Sequence, residues 1–323
     1  MRKINHDAGS DRMKHKLVVI VGPTAVGKTE LSIEIAKEFD GEVISGDSMQ
    51  VYKGMDIGTA KVTEEEKQGI PHHLIDIVEP EEDYSVAQFK EDVQRLIKTI
   101  TMRGKLPIIV GGTGLYIQSV LYDYQFSEQE RNPELQKKIE KDIEEYGVEH
   151  VYQRLVDVDP EQAKKIHPNN RRRLIRALEV YEDTGVTLSE LQRRQSGEMI
   201  YDTFLIGLEM ERSLLYDRIN QRIDKMMEQG LLNEVKALWD KDLEDTQAMK
   251  AIGYKEFIPY FKEAESLDET IEILKRNSRR YAKRQFTWFK NKMPVHWYSI
   301  QPSEKEKVFQ NILQDLAGFL KEK

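Results

Sequence analysis

The 323-residue chain has no cysteine, which excludes disulfides, thiolate nucleophiles and cysteine-bound zinc and leaves histidine and carboxylates as possible metal ligands. The adjacent pair His72-His73 has the wrong spacing for one helix face. It reads as a pair leading into a short strand, and no transition metal is assigned. No apolar run approaches the ~18 residues of a membrane helix, so no membrane partner is expected. The first 13 residues, MRKINHDAGSDRM, lack the apolar centre of a signal peptide. They read as a disordered tail, and the cytoplasm is the expected compartment. Internal repeats and low-complexity linkers are also missing. Cations are the minority, 49 Lys and Arg against 57 Asp and Glu for a net charge of −8, which taken alone argues against nucleic acid.

The distribution of charge says otherwise. Lys275 to Lys292, KRNSRRYAKRQFTWFKNK, holds eight Lys or Arg and no acid, interleaved with Tyr281, Phe286, Trp288 and Phe289. Arg171, Arg172, Arg173 and Arg176 form a second cluster. Two such clusters favour a polyanionic partner over two solvated helix faces.

Hydrophobic residues make up 39% of the chain and charged ones 33%, the balance of a globular protein longer than one core usually serves. One α/β core with an added piece is therefore expected. Leu17 to Val21 is apolar and mostly β-branched, the pattern of a parallel strand buried on both faces. After a hinge, Leu31, Ile35 and Phe39 recur every four residues, as on one helix face. The hinge, Gly22-Pro23-Thr24-Ala25-Val26-Gly27-Lys28-Thr29, fits G-x-x-x-x-G-K-[ST] at every fixed position, between strand and helix as the motif requires. Its backbone N–H groups and helix N-terminus attract an anion, Lys28 adds a full charge, and the Thr29 hydroxyl can ligate Mg²⁺. These groups recognise a polyphosphate, not a nucleotide.

Glu42 to Ser45 is a second short strand that puts Asp47 just past a carboxyl end, where doubly wound sheets bind ligands. His73 to Val78 is a third apolar segment. A helix is expected over Val86–Met102, and LPIIVGGTGLY gives strand, glycine turn and helix. From Tyr124 to Ile200 the chain turns to charged helices without a buried strand, which marks a helical insertion. DTFLIGLEM and VHWYSI restore strands, SLLYDRINQRIDKMMEQG and the basic run read as helices, and SEKEKVFQNILQDLAGFLKEK reads as an amphipathic closing helix. The expected fold is thus a P-loop NTPase-like parallel sheet flanked by helices, formed by 14–123 and 201–323, with the all-helical insertion at 124–200.

A nucleotide hydrolase or kinase of this class normally ends a second strand in an Asp that holds Mg²⁺. Pro107 to Val110 ends instead in Gly111-Gly112-Thr113. The carboxylate available at this edge is Asp47.

In order along the chain, GPTAVGKT, ISGDSMQVYKGMDIGTAK, PHHLIDI, YSVAQF, PIIVGGTGLY, RRLIRALEVY and IGYKE resemble the motifs of the tRNA dimethylallyltransferases, also called tRNA isopentenyltransferases. The likeness runs from Leu17 to about Tyr298. It implies transfer of a dimethylallyl group from its diphosphate to N6 of the adenosine 3′-adjacent to a tRNA anticodon, with Mg²⁺. The P-loop would then hold a prenyl diphosphate, with Lys28 stabilising the leaving charge and Thr29 carrying the metal. Thr113 would donate to the bridging oxygen, and Asp47 would take an N6 proton. Ser48, Met49 and Gln50 fall in the family's tRNA-contacting stretch, where Gln50 could read the adenine edge. So do Arg172, Arg173, Leu174, Ile175 and Arg176, with Arg171 before them, and also Lys250, Gly253, Tyr254 and Lys255. Arg218 and Arg222, four apart on one helix face, either complete the diphosphate site or pair with nearby acids.

The expected partners are the tRNA anticodon arm and dimethylallyl diphosphate, with the protein a monomer. A P-loop kinase of a nucleoside-like substrate, which would make ATP a ligand, stays open at this point, as do prenyl transfer to free AMP and a non-catalytic RNA binder. The intact Lys28 and Thr29 speak against the last. The arginine-bearing insertion favours tRNA over AMP.

Overall fold

A computed structural model describes residues 14–124, 132–193 and 197–322; the tail expected over 1–13 lies outside them. The chain separates into two compact units, Met1–Leu121 with Ile200–Lys323, and Tyr122–Met199.

In the first unit the chain runs through β1 (Lys16–Val21), α1 (Lys28–Glu38), β2 (Gly41–Ser45), α2 (Glu64–Lys67), β3 (His72–His73), α3 (Val86–Met102), β4 (Leu106–Gly111) and α4 (Gly114–Leu121). The second unit contributes α5 (Pro133–Tyr146), α6 (Val148–Val158), α7 (Pro160–Ala163), α8 (Arg171–Thr184) and α9 (Leu188–Arg193). The chain then returns through β5 (Asp202–Glu209), α10 (Arg212–Glu228), α11 (Leu231–Trp239), α12 (Ile258–Phe261), α13 (Leu267–Lys292), β6 (His296–Ser299) and α14 (Lys305–Lys321).

The six strands form one parallel sheet in the order β3-β2-β4-β1-β5-β6. β1 lies inside it, with Val18 beside Ile108 and Phe204, and Leu17 to Val21 have no exposure. That burial on both faces is why the segment is uninterruptedly apolar. α3 begins at a capping box in which Ser85 accepts from the Gln88 N–H and Gln88 answers at the Ser85 N–H, fixing its start within YSVAQF. Parallel strands of this order open their carboxyl ends to one edge, so the loops after β1, β2 and β4 meet there.

The segment His73–Val78 is not a strand. Only His72 and His73 pair with β2, after which Leu74 and Asp76 take positive φ. Their neighbours bond to the loop after β2 instead of the sheet: Asp76 N–H donates to Gln50 O, and Ile77 and Val78 N–H to Val51 O. His73 shares the buried carboxylate of Glu42 with Arg103, at 2.7 and 2.6 Å.

The second unit has its own core, with Ile139 and Ile143 of α5, Val151 and Leu155 of α6, and Leu174, Ile175 and Leu178 of α8. Buried Asp159 accepts from the N–H groups of Gln162 and Ser189 at 3.0 Å each, tying α7 to α9.

Candidate active site

The loop after β1 takes backbone conformations that favour glycine. Gly22 (φ +144°) would press a Cβ to 2.5 Å from Leu208 O, and Gly27 (φ +107°) precedes α1 with no side-chain cap. The first N–H groups of α1 are therefore left to a ligand. Lys28 folds over the loop, its ammonium donating to Gly22 O at 3.0 Å and Pro23 O at 2.7 Å. Burial, and next the Arg222 charge, bring its pKa down to about 7, against the pull of Asp47. Thr29 is exposed beside it.

Arg218 and Arg222 reach this loop from α10. Arg218 Nε donates to Ala25 O at 3.0 Å, and Arg222 Nη1 to Thr24 Oγ1 at 3.2 Å. Burial pushes the Arg222 guanidinium below its ordinary pKa. Lys28, Arg218 and Arg222 thus crowd one loop, and the carboxylates that act on the desolvated pair Lys28 and Arg222 are Asp47 and Glu66, an excess of positive charge that suits an anion.

Across the edge, Asp47 closes an Asx turn, its Oδ1 accepting from the Met49 N–H at 2.8 Å. Desolvation raises its carboxyl pKa, opposed first by the Met49 N–H and then by Lys28. A turn cap and a proton acceptor are compatible here, because the carboxylate has lone pairs beyond the one spent on Met49. Thr113 Oγ1 meets the same turn, accepting from Ser48 N–H at 3.2 Å.

Gln285, which sequence reasoning missed, joins the two sides, and Tyr281 and Trp288, read from the sequence only as aromatics of the basic run, pack beside it. Gln285 of α13 accepts from the Thr24 N–H at 3.0 Å and donates to Gly112 O at 3.2 Å, locking the P-loop to the glycine turn. One helical turn earlier, Tyr281 bonds to Thr113 and Gln285, and burial followed by the Asp47 charge pushes its hydroxyl up to about 12. Trp288 lies against Gly114, where a Cβ would come 2.2 Å from the indole. The acid-free run that reads as basic with interleaved aromatics is thus two-sided. Arg276, Arg280, Lys283 and Arg284 are exposed, whereas Phe289 is buried, Phe286 stacks edge-on against Trp297 at 4.9 Å, and Tyr281 faces the site. These aromatics are not an open stacking platform.

Other positions assigned to RNA contact lie elsewhere. Gln50 spends its amide inside its own loop, accepting from Ser45 Oγ at 2.8 Å and donating to Thr59 O and Ala60 O at 3.2 and 3.3 Å; it is not turned out to read a base edge. Tyr254 is fully buried and donates to Glu234 Oε1 at 2.6 Å, so its ring is packing. Gly253 is buried as well, while Lys255 is exposed and Lys250 donates to Asp245 O at 2.6 Å. In the second unit the side chains of Leu174 and Ile175 belong to the core. Arg172 and Arg173 are exposed in the first turn of α8, and Arg176 pairs with Glu179 at 3.0 Å.

Among the described residues no three His, Asp or Glu side chains gather as a ready-made metal site, and no helix is long and apolar enough to cross a membrane.

A family model described as IPP transferase matches residues 50–292. The tRNA dimethylallyltransferase of Oceanobacillus iheyensis is 58% identical over 96% of this chain and 99% of its own. That of Bacillus cytotoxicus is 59% identical over 91% and 93%. Among solved structures, the full-length tRNA isopentenylpyrophosphate transferase of Bacillus halodurans superposes with a TM-score of 0.71 at 48% identity, covering 95% of this chain and 97% of that one. A eukaryotic dimethylallyltransferase acting on tRNA gives 0.83 at 33% identity, over 95% and 79%.

Proposed function

The chain belongs to the IPP transferase family and moves a dimethylallyl group onto tRNA, and we propose that the donor is dimethylallyl diphosphate and the acceptor N6 of the adenosine 3′-adjacent to the anticodon. One observation carries this reading: Lys28, Arg218 and Arg222 converge on the P-loop, and Asp47 and Thr113 face it from the next two strand ends.

The P-loop N–H groups and the three cations bind the two phosphates. Breaking the allylic C–O bond leaves positive character on the prenyl carbon and negative charge on the departing diphosphate, which those donors stabilise. In this reading the Thr113 hydroxyl donates to the bridging oxygen. Adenine N6 is a weak nucleophile because its lone pair is delocalised, and loss of one N6 proton to Asp47 during attack offsets that weakness. The arriving diphosphate compensates Lys28 and Arg222, which removes part of the attraction that lowers the Asp47 pKa. The base therefore strengthens when the donor is bound.

Mg²⁺ needs only one or two protein oxygens when phosphates and water supply the rest, and the exposed Thr29 hydroxyl at the start of α1 fits that requirement. When bound, the ion neutralises diphosphate charge. An adenosine stacked in an anticodon loop has to be splayed out to reach a partly buried carboxylate. The exposed arginines Arg171, Arg172 and Arg173 supply an anion-binding surface suited to holding the arm meanwhile. The protein acts as a monomer in this reading.

Mass spectrometry of nucleosides from tRNA incubated with protein, Mg²⁺ and dimethylallyl diphosphate tests the assignment. Isopentenyladenosine at the position after the anticodon is expected; unmodified adenosine there would overturn it.

A further inference from the structure

The side chain of Glu234, on α11, is saturated by one segment of the loop after β2 together with Tyr254. Its Oε2 accepts from the N–H groups of Asp56 and Ile57 at 2.9 and 2.8 Å, and its Oε1 from Gly58 N–H at 2.9 Å and the Tyr254 hydroxyl at 2.6 Å. Four donors use the four strong acceptor positions of a carboxylate. Successive N–H groups turned to one point make an anion nest, and here the protein fills the nest with its own side chain. Gly58 lets this happen, because a Cβ there would stand 2.6 Å from the Tyr254 ring.

From that nest a continuous chain of bonds leads to Asp47. Thr59 and Ala60, next along the backbone, receive the Gln50 amide through their carbonyls; Gln50 in turn receives Ser45 Oγ, and Ser45 Oγ accepts from the Asp47 N–H at 3.4 Å. Thr59 Oγ1 donates to Met55 O, and Lys61 bonds to Tyr52 O and to both Asp56 and Asp76. None of these bonds involves the P-loop.

We infer that Glu234 is a positioning residue for transfer: with Tyr254 and Gly58 it sets the loop that aims Asp47, and leaves diphosphate binding to the P-loop. The inference rests on Asp47 being the proton acceptor proposed above, and it accounts for the IGYKE motif without a direct RNA contact by the tyrosine.

The test compares wild type, Glu234→Gln, Gly58→Ala and Tyr254→Phe by single-turnover transfer to saturating tRNA and by equilibrium binding of dimethylallyl diphosphate. The glutamine is isosteric but turns an amide toward backbone N–H groups. Single-turnover rates of Glu234→Gln and Gly58→Ala should fall about 10- to 100-fold, the scale of displacing a reacting group by an ångström, with the donor Kd within twofold of wild type. Tyr254→Phe, which removes one hydroxyl from the nest, should lose a few-fold and keeps the test open if the others fail to fold. An unchanged rate in Tyr254→Phe and in every variant that folds, or a donor Kd that weakens in step with the rate, would overturn the inference. Wild type that makes no prenyl-adenosine would instead remove the reading on which it rests.

Discussion

Arg218 and Arg222 on α10 and Arg171, Arg172 and Arg173 at the start of α8 look alike as sequence, short basic stretches on amphipathic helices, and the fold gives them different surroundings, although Arg218 keeps its exposure. The α10 pair is drawn down onto the P-loop carbonyl and hydroxyl groups, with Arg222 desolvated next to Lys28. The α8 trio stands in solvent, in a first helical turn that contains no acid, where the macrodipole disfavours each cation by about 0.3–1 kcal/mol. Both arrangements cost stability until an anion arrives. Buried cations favour a compact, multiply charged anion at contact distance, with little sensitivity to salt. Exposed cations suit an extended polyanion whose binding releases counterions and is strongly salt-dependent. Burial, more than charge count, separates the site for diphosphate from the surface for RNA.

Substitutions can pull these two kinds of site apart. Asp47→Asn leaves both clusters in place and should remove the chemistry alone. Turnover is expected to fall on the order of 10²–10⁴-fold, the worth of a general base, with tRNA affinity within a few-fold; near-wild-type turnover would assign the proton to another acceptor. Arg222→Ala breaks the inner cluster. It should lower kcat/KM for the prenyl donor about 10²–10³-fold, the scale of losing one preorganised donor to developing charge, without moving tRNA affinity or its salt dependence. Replacing Arg172 and Arg173 together by alanine tests the outer cluster. A several-fold loss of tRNA affinity is expected, with a log–log salt slope shallower by about 0.7 for each phosphate no longer neutralised and an unchanged donor Kd; an unaltered slope would leave these arginines as solvated charges.

The smallest effect is a proton. With its pKa near 7, Lys28 of the free protein is largely neutral at pH 8 and charged at pH 6. A bound diphosphate favours the cation, and the diphosphate itself sheds a proton on binding near pH 6, so donor binding should take up more protons at pH 8 than at pH 6. Calorimetry in buffers of different ionisation enthalpy measures this directly, and equal uptake at both values would contradict a desolvated Lys28.

Much of this was legible in the sequence because periodicity and a contiguous motif carry it. The buried strand β1, the eight-residue loop and the Val86–Met102 helix are local patterns, and local patterns survive folding. What bridges distant segments was not legible. Gln285 lies 261 residues from Thr24, which donates to it, and Glu234 lies 178 residues from Asp56. Nothing in NEVKALW or KRQFTW signals such contacts. The segment after His73 looked like a strand because it is apolar, but positive φ at Leu74 and Asp76 sends it to the neighbouring loop. Motif membership also does not separate buried side chains from exposed ones. Leu174, Ile175 and Tyr254 stand in motifs of a tRNA-binding family, yet they are buried, because a motif records packing that holds a surface as readily as the surface itself.

The central claim is that the P-loop and its buried cations hold a prenyl diphosphate and not a nucleoside triphosphate. Purified protein with Mg²⁺ and tRNA, given dimethylallyl diphosphate in one reaction and γ-labelled ATP in another, tests it most directly. Diphosphate released in step with prenylated adenosine, with no ATP hydrolysed or required, is the predicted result. Release of γ-phosphate that depends on tRNA, with no product from the prenyl donor, would contradict the account and restore the kinase reading.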